Sequence, residues 1–298
     1  MKKKLLIVGG SGLLGINWAC LVRDDFEVIL ALHNRDISLD GVETEKIFIE
    51  SIETLLEDLN RIMPDIVVNA ASITSVEACE KNFNKAKEVN TDAASNIAIV
   101  CEELKIKLVH ISTDHIFSGK NQFSDEYCEA SPLNNYARTK YQAEIEVKNS
   151  NPSSLIIRTN FYGWGTSYRH SFSDLIINNL RNNLQVHLFA DVFFTPMLID
   201  ELVSSINELI ELNQCGIFNV VGSDRLSKFE FGLKVADCFG LNPSLIKSIN
   251  YKEKLKVVRP RDMSLSNAKL LETLNRQVPN LSDQLDKLKR QERYRPTQ

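Results

Sequence analysis

Leu5-Leu6-Ile7-Val8-Gly9-Gly10-Ser11-Gly12-Leu13-Leu14-Gly15 is the stretch that decides the fold. Four consecutive apolar residues run into glycine, the pattern of a strand buried on both faces. Gly9, Gly12 and Gly15 then follow G-x-x-G-x-x-G, and a helix is expected from Gly12 to Arg23. A strand before and a helix after are the context that gives such a glycine series its meaning. The glycines supply a tight turn, close approach of backbone to a pyrophosphate, and close helix–sheet packing. The phosphates then sit on free N–H groups at the positive end of the helix.

Working outward, Phe26 to Leu32 reads as the second strand and Lys46 to Ile49 as the third. Ile66-Val67-Val68, introduced by Pro64, is the fourth, Lys107 to Ile111 the fifth and Leu155-Ile156-Ile157 the sixth. Helical stretches at about Asn84 to Leu104 and Tyr136 to Val147 lie between them. Parallel neighbours need crossovers, so this alternation predicts an α/β fold, a doubly wound parallel sheet of Rossmann-like type. After Gly163 the alternation weakens. Val186 to Phe189 and Ile217 to Val221 look like strands, Asp200 to Leu212 and Lys228 to Phe239 like helices. The division expected is a dinucleotide-binding domain at 1–162, with 193–222 packing back on it. A smaller mixed α/β substrate-binding lobe is expected from 163–192 and 223–298. The polar, basic end from Lys287 to Gln298 is expected to fray.

Bulk properties narrow the function. The 298 residues are 43% hydrophobic and 25% charged, with 35 basic against 39 acidic residues and a net charge of −4. That balance gives no footprint for nucleic acid or an anionic membrane. No apolar run approaches a bilayer span. Lys2, Lys3 and Lys4 precede an apolar stretch of about five residues, too short for a signal peptide, so it reads as the buried first strand. The six cysteines are scattered without a C-x-x-C pair, and the five histidines lack ligand spacing. Reduced thiols, a cytoplasmic location and no metal site are expected.

The end of the second strand normally selects the cofactor, an acidic residue for a ribose hydroxyl and arginine for a 2′-phosphate. This chain has His33-Asn34-Arg35-Asp36 there. Asn34 and Arg35 favour NADPH, and Asp36 leaves NADH possible. The expected cofactor contacts are Gly9, Ser11, Gly12, Leu13, Leu14, Gly15, Asn34, Arg35, Ser51, Ile52, Ala70, Ala71, Ser72, Tyr136 and Lys140.

Tyr136-Ala137-Arg138-Thr139-Lys140 puts Tyr and Lys on one helix face. A nearby ammonium favours the phenolate and lowers a tyrosine pKa from its usual value near 10. Lys140 also has the reach to donate to a cofactor ribose. His110-Ile111-Ser112-Thr113-Asp114 closes the fifth strand, at the sheet edge where such folds bind ligands. Thr113 can hold and polarise a substrate carbonyl there. Asn69-Ala70-Ala71-Ser72 closes the fourth strand with small residues that admit a cofactor close to the backbone.

These segments together resemble the extended short-chain dehydrogenase/reductases, and within them the dTDP-4-dehydrorhamnose reductase branch. The matching pieces are Gly9–Gly15, Val68-Asn69-Ala70-Ala71, Glu88-Val89-Asn90, Ser112 to Phe117, Pro132 to Lys140, Ile157-Arg158-Thr159, Phe194-Thr195-Pro196, and Arg259-Pro260 leading to Leu265. They span nearly the whole chain. The resemblance implies NAD(P)H-dependent reduction of a keto group on a nucleotide-linked deoxysugar, in the biosynthesis of cell-surface polysaccharide sugars. It implies Tyr136 as proton donor, Lys140 as its electrostatic helper, Thr113 as carbonyl anchor and Asp114 as a tuning group. Arg259 or Arg261 would hold the sugar-nucleotide pyrophosphate. His115 departs from the branch, which usually has tyrosine after Thr-Asp, and Trp164 is a candidate for stacking on a sugar or base. Two rival readings stand beside this one. One is another enzyme of the same fold, a nucleotide-sugar epimerase or dehydratase or a reductase of a different keto compound. The other is a non-catalytic, cofactor-binding regulatory subunit, as in the beta subunit of methionine adenosyltransferase. A homodimer is the candidate assembly.

Overall fold

The computed structural model describes residues 2–251 and 256–294. The first half alternates as β1 (Lys4–Val8), α1 (Leu13–Val22), β2 (Glu27–Leu32), β3 (Glu43–Lys46), α2 (Ile52–Ile62), β4 (Ile66–Asn69), α3 (Val76–Lys81), α4 (Phe83–Lys87), α5 (Ala93–Glu103), β5 (Lys107–Ile111), α6 (Asn135–Ser150) and β6 (Leu155–Arg158). The second half holds β7 (Phe161–Tyr162), α7 (Phe172–Arg181), β8 (Val186–Phe189), β9 (Phe193–Phe194), β10 (Met197–Leu198), α8 (Ile199–Glu211), β11 (Gly216–Asn219), β12 (Leu226–Ser227), α9 (Lys228–Phe239), β13 (Ile246–Ile249), α10 (Ala268–Leu274) and α11 (Leu281–Gln291). Seven strands form one parallel sheet in the order β11-β6-β5-β4-β1-β2-β3.

The continuous apolar run of β1 is explained by its two buried faces. Leu5 and Ile7 pack on the side of Trp18 in α1 and Leu202, Val203 and Ile206 in α8. Leu6 and Val8 face Leu55 and Leu59 of α2, Ile97 of α5 and Val147 of α6. Each side chain so enclosed contributes about 1.5–3 kcal/mol. Strand order reverses between β1 and β4, so a crevice opens there at the carboxyl ends of the strands.

Several expectations are corrected. The sheet has a seventh strand, because β11 extends it beyond β6 in parallel register. The third strand lies three residues earlier than expected. Ile47 and Ile49 suggested the later span, but the ladder pairs Ile29–Leu32 with the polar edge residues Glu43–Lys46. The long helix between β4 and β5 is α4 and α5 joined by a π turn at Glu88–Asp92. The C-terminal segment does not fray at Lys287. Leu288 is fully buried, α11 continues to Gln291, and Arg181 pairs with Glu292. Residues 295–298 of that expectation lie outside the described residues.

A second core joins Tyr162, Trp164, Ile176, Ile177, Leu188, Phe194, Phe231, Val235, Leu285 and Leu288. Phe231 is its hub, stacked on Phe172 and edge-on to Tyr162 and Phe194. This body carries the loops that face the strand ends. The six cysteines are free thiols. Among the described residues no helix is long and apolar enough to cross a membrane.

Candidate active site

The glycine turn is shaped by contacts that exclude a side chain. Gly9 has φ +85°, and a Cβ there would lie 2.8 Å from the Ala71 amide nitrogen and 2.9 Å from the Ala70 carbonyl carbon. A Cβ on Gly15 would lie 2.8 Å from the Gly9 carbonyl oxygen. The turn therefore packs directly on the end of β4. Gly12 caps α1 without a side chain, so no side-chain oxygen occupies the amides of the first helical turn. That leaves an anion-binding helix end facing the crevice.

A cleft of about 620 Å³ runs from this turn across the ends of β4 and β5. The sequence-predicted residues Gly9, Ser11, Gly12, Leu13, Leu14, Gly15, Arg35, Ala70, Ala71, Ser72, Thr113, Asp114, His115, Tyr136 and Lys140 all line it. A smaller apolar cavity of about 260 Å³ adjoins it through Ala71 and includes Asn34, Ile47, Ile49, Glu50 and Val89. Ser51 and Ile52 line neither. Ser51 is the N-cap of α2, accepting from the Thr54 amide at 3.2 Å, and Ile52 packs on the sheet. The residues just before them, Ile49 and Glu50, take the position expected of them.

Arg35 is held in place. Its guanidinium carbon sits 4.0 Å over the Tyr168 ring, and the Tyr168 hydroxyl donates to the Ser11 carbonyl at 3.1 Å. Arg169 from the same loop donates to Thr74 Oγ1 at 2.9 Å. Asp36 does not line the cleft and pairs with Lys46 at 3.3 Å.

Tyr136 and Lys140 are buried one turn apart on α6, and both face the cleft. The Lys140 ammonium donates to the Ile111 carbonyl at 2.7 Å and lies 3.4 Å from His110 Nε2. Burial pushes its pKa down to about 8, with Glu144 acting in the opposite direction. His110 is sealed in, and burial and the Lys140 charge hold its pKa well below the usual value, so the ring is neutral. The depressed phenol pKa expected for Tyr136 is not found. Burial raises it, outweighing the hydrogen bond with Thr113 that lowers it. Tyr136 is thus a protonated phenol at neutral pH.

Asp114 is buried, accepting from Asn160 Nδ2 at 2.7 Å and Thr113 Oγ1 at 3.2 Å. The His115 ring meets the Tyr136 ring edge-on at 5.5 Å. Behind these groups Glu144 and Arg158 form a buried ion pair at 2.8 Å, and Ser112 donates to the same carboxylate. Asn90, in the π turn, accepts from Ser72 and the Ile73 amide and donates to Thr139. It thereby ties the end of β4 to α6.

Three predicted substrate residues lie elsewhere. Trp164 is enclosed in the second core, its Nε1 donating to the Leu288 carbonyl at 2.8 Å. Phe161, three residues earlier, lines the cleft instead. Arg259 pairs with Glu77, and Arg261 is exposed beside Asp191 at 3.9 Å. Neither arginine lines the cleft. Asn160, Phe161, Tyr168 and Arg169 were missed, because no spacing marks residues that a loop brings over the crevice.

A parallel sheet with a glycine turn at its switch point, and Thr, Tyr and Lys gathered at the next strand ends, defines a protein of the extended short-chain dehydrogenase/reductase type. The chain belongs to the RmlD substrate binding domain family, whose model matches residues 3–293. It is 28% identical over 284 residues to a probable low-salt glycan biosynthesis reductase, Agl14, of Haloferax volcanii, covering 94% of this chain and 95% of that one. It is 24% identical over 303 residues to a dTDP-4-dehydrorhamnose reductase of Sinorhizobium fredii, covering 96% of each. The crystal structure of dTDP-4-dehydrorhamnose reductase from Bacillus anthracis in complex with NADP shares its fold. The TM-score is 0.86 at 24% identity, over 98% of this chain and 100% of that one.

Proposed function

We propose that the protein is a cytoplasmic NAD(P)H-dependent reductase of a keto group on a nucleotide-linked deoxysugar, similar in activity to dTDP-4-dehydrorhamnose reductase. The observation that carries this reading is the convergence of Thr113, Tyr136 and Lys140 in one cleft with the glycine turn. The site fits a dinucleotide, since Gly9 and Gly15 leave no room for side chains and the first-turn amides of α1 are uncapped. The turn and those amides would hold the pyrophosphate, Arg35 a 2′-phosphate, and Tyr136 and Lys140 the nicotinamide end. When bound, the nicotinamide supplies the hydride.

The chain's own residues supply the rest. Thr113 turns its one hydroxyl proton from Asp114 to the carbonyl oxygen and polarises it. Tyr136, kept protonated by burial, gives its proton to that oxygen as negative charge develops. Lys140 offsets the phenolate charge, and its pKa of about 8 lies close enough to neutrality for it to return a proton. Asp114 and Asn160 fix the turn that presents Thr113.

The test follows oxidation of NADPH, and separately of NADH, by absorbance with a dTDP-4-keto-6-deoxy-sugar. Turnover that disappears in Tyr136→Phe supports the reading. Cofactor binding without turnover across a panel of keto-sugar nucleotides would overturn it in favour of a regulatory subunit.

A further inference from the structure

Next to the cleft, against Phe172 of its lining, lies a cation that this reaction does not use. Lys228 is the first residue of α9, just after the capping Ser227. Its Nζ lies 3.2 Å from the Phe194 ring centroid and 5.0 Å from that of Phe172, which lines the cleft. Two aromatic faces stabilise an ammonium, but they do not satisfy three N–H donors. Among the described residues no carboxylate lies within ion-pair distance of Lys228, and its ammonium makes no hydrogen bond. The Asp114 carboxylate acts on it electrostatically, yet is already engaged by Asn160 and Thr113. Burial brings the Lys228 pKa down to about 7, and the Asp114 charge opposes that shift without cancelling it.

A second group without a partner lines the cleft. His115 Nδ1 is enclosed and has no hydrogen-bond partner among the described residues. The charge of Lys228 is felt at this ring, which is edge-on to Tyr136 and one residue from Asp114. Burial holds the His115 pKa below its usual value, so the ring is neutral and Nδ1 donates or accepts according to its tautomer. A partly buried cation without an ion-pair partner and an enclosed ring nitrogen without a hydrogen bond, near the reacting hydroxyls, leave two complementary positions for a ligand.

We propose that Lys228 and His115 form a subsite for an anionic oxygen of the substrate, a carboxylate or phosphate oxygen, bonded by the Lys228 ammonium with His115 Nδ1 beside it. The proposal deepens the reductase reading and rests on it. A sugar carboxylate and the nucleotide diphosphate share this chemistry, and binding measurements separate them.

The probes are dTDP, UDP-glucuronate and UDP-glucose, titrated calorimetrically into wild type, Lys228→Met and Lys228→Arg, each saturated with NADPH. Loss of a charge-assisted bond is expected to weaken binding by about tenfold or more in Lys228→Met, and by less in Lys228→Arg. Weakening shared by all three probes identifies a diphosphate oxygen. Weakening confined to UDP-glucuronate identifies a sugar carboxylate. NADPH affinity, read in the same variants, reports an intact fold, and Lys228→Gln replaces the methionine variant should that one not fold. Unchanged affinities for every probe, or no probe binding to the wild type, overturn the proposal. Turnover plays no part in this readout, so failure of the reductase reading shows separately, as an absence of cofactor oxidation.

Discussion

Tyr136 sits where burial and hydrogen bonding oppose each other, and burial prevails. Its proton is therefore available at neutral pH, and loss of the hydroxyl removes the acid without disturbing the ring. Tyr136→Phe is expected to keep fold and NADPH affinity while turnover falls by roughly 10²–10⁴-fold. Near-normal turnover in steady-state assays would remove Tyr136 from this role. Arg35 is held near the cleft by its stack on Tyr168. Arg35→Ala should weaken NADPH much more than NADH in fluorescence titrations, and Tyr168→Leu should do so to a smaller degree. Equal losses for both cofactors would take the 2′-phosphate role away from Arg35.

At the scale of the element, α6 is the part whose position matters most. It carries Tyr136 and Lys140, and Glu144, one turn beyond Lys140, anchors it to β6 through Arg158. Both members of that pair are nearly inaccessible, with side-chain exposures of 2% and 4%. Glu144→Ala leaves an unpaired guanidinium in the interior, and about 3–5 kcal/mol of stability should be lost in urea unfolding. A loss below about 1 kcal/mol, the value of an exposed pair, would contradict the anchoring role. The glycine turn is equally constrained. Gly9→Ala adds a methyl against the backbone of Ala70 and Ala71 and forces alanine to φ +85°. Cofactor affinity is expected to drop sharply, and unaltered binding in that variant would show that the turn shifts freely.

For the whole molecule, the buried titratable groups predict how stability without cofactor follows pH. Lys140 and Lys228 have folded pKa values of about 8 and about 7, below the ordinary 10.5. Between those values the unfolded chain binds more protons, so stability rises with pH from about 7 upward. His110 and His115 are depressed from 6.5, so acidification through that value also destabilises the fold. Cys101 and Cys238 are raised from 9.0 to about 12 and about 11, and Tyr136 and Tyr162 are raised from 10.0. Above about pH 9 the unfolded chain releases those protons first and stability falls again. A Tm series on the cofactor-free protein should therefore climb from pH 6 to about 9 and then decline. A steady fall between pH 7 and 9 would show that these lysines are not desolvated as described.

The parallel sheet, the glycine turn and the Tyr136–Lys140 face are legible in the amino-acid sequence. Each of these follows from spacing within one element or across one strand end: apolar runs for strands buried on both sides, glycine where a Cβ has no room, and a four-residue interval on a helix. Which neighbouring side chains reach the cleft depends on how the elements pack. Phe161 lines it and Trp164 does not, because the chain turns between them and Trp164 is drawn into the second core. Ser51 and Ile52 were spent on starting a helix, and Arg259 on Glu77. Lys228 carried no motif. Its place beside Phe172, Phe194 and Asp114 arises from the docking of α9 against segments 34 to 114 residues away, and packing between distant elements is not written in local periodicity.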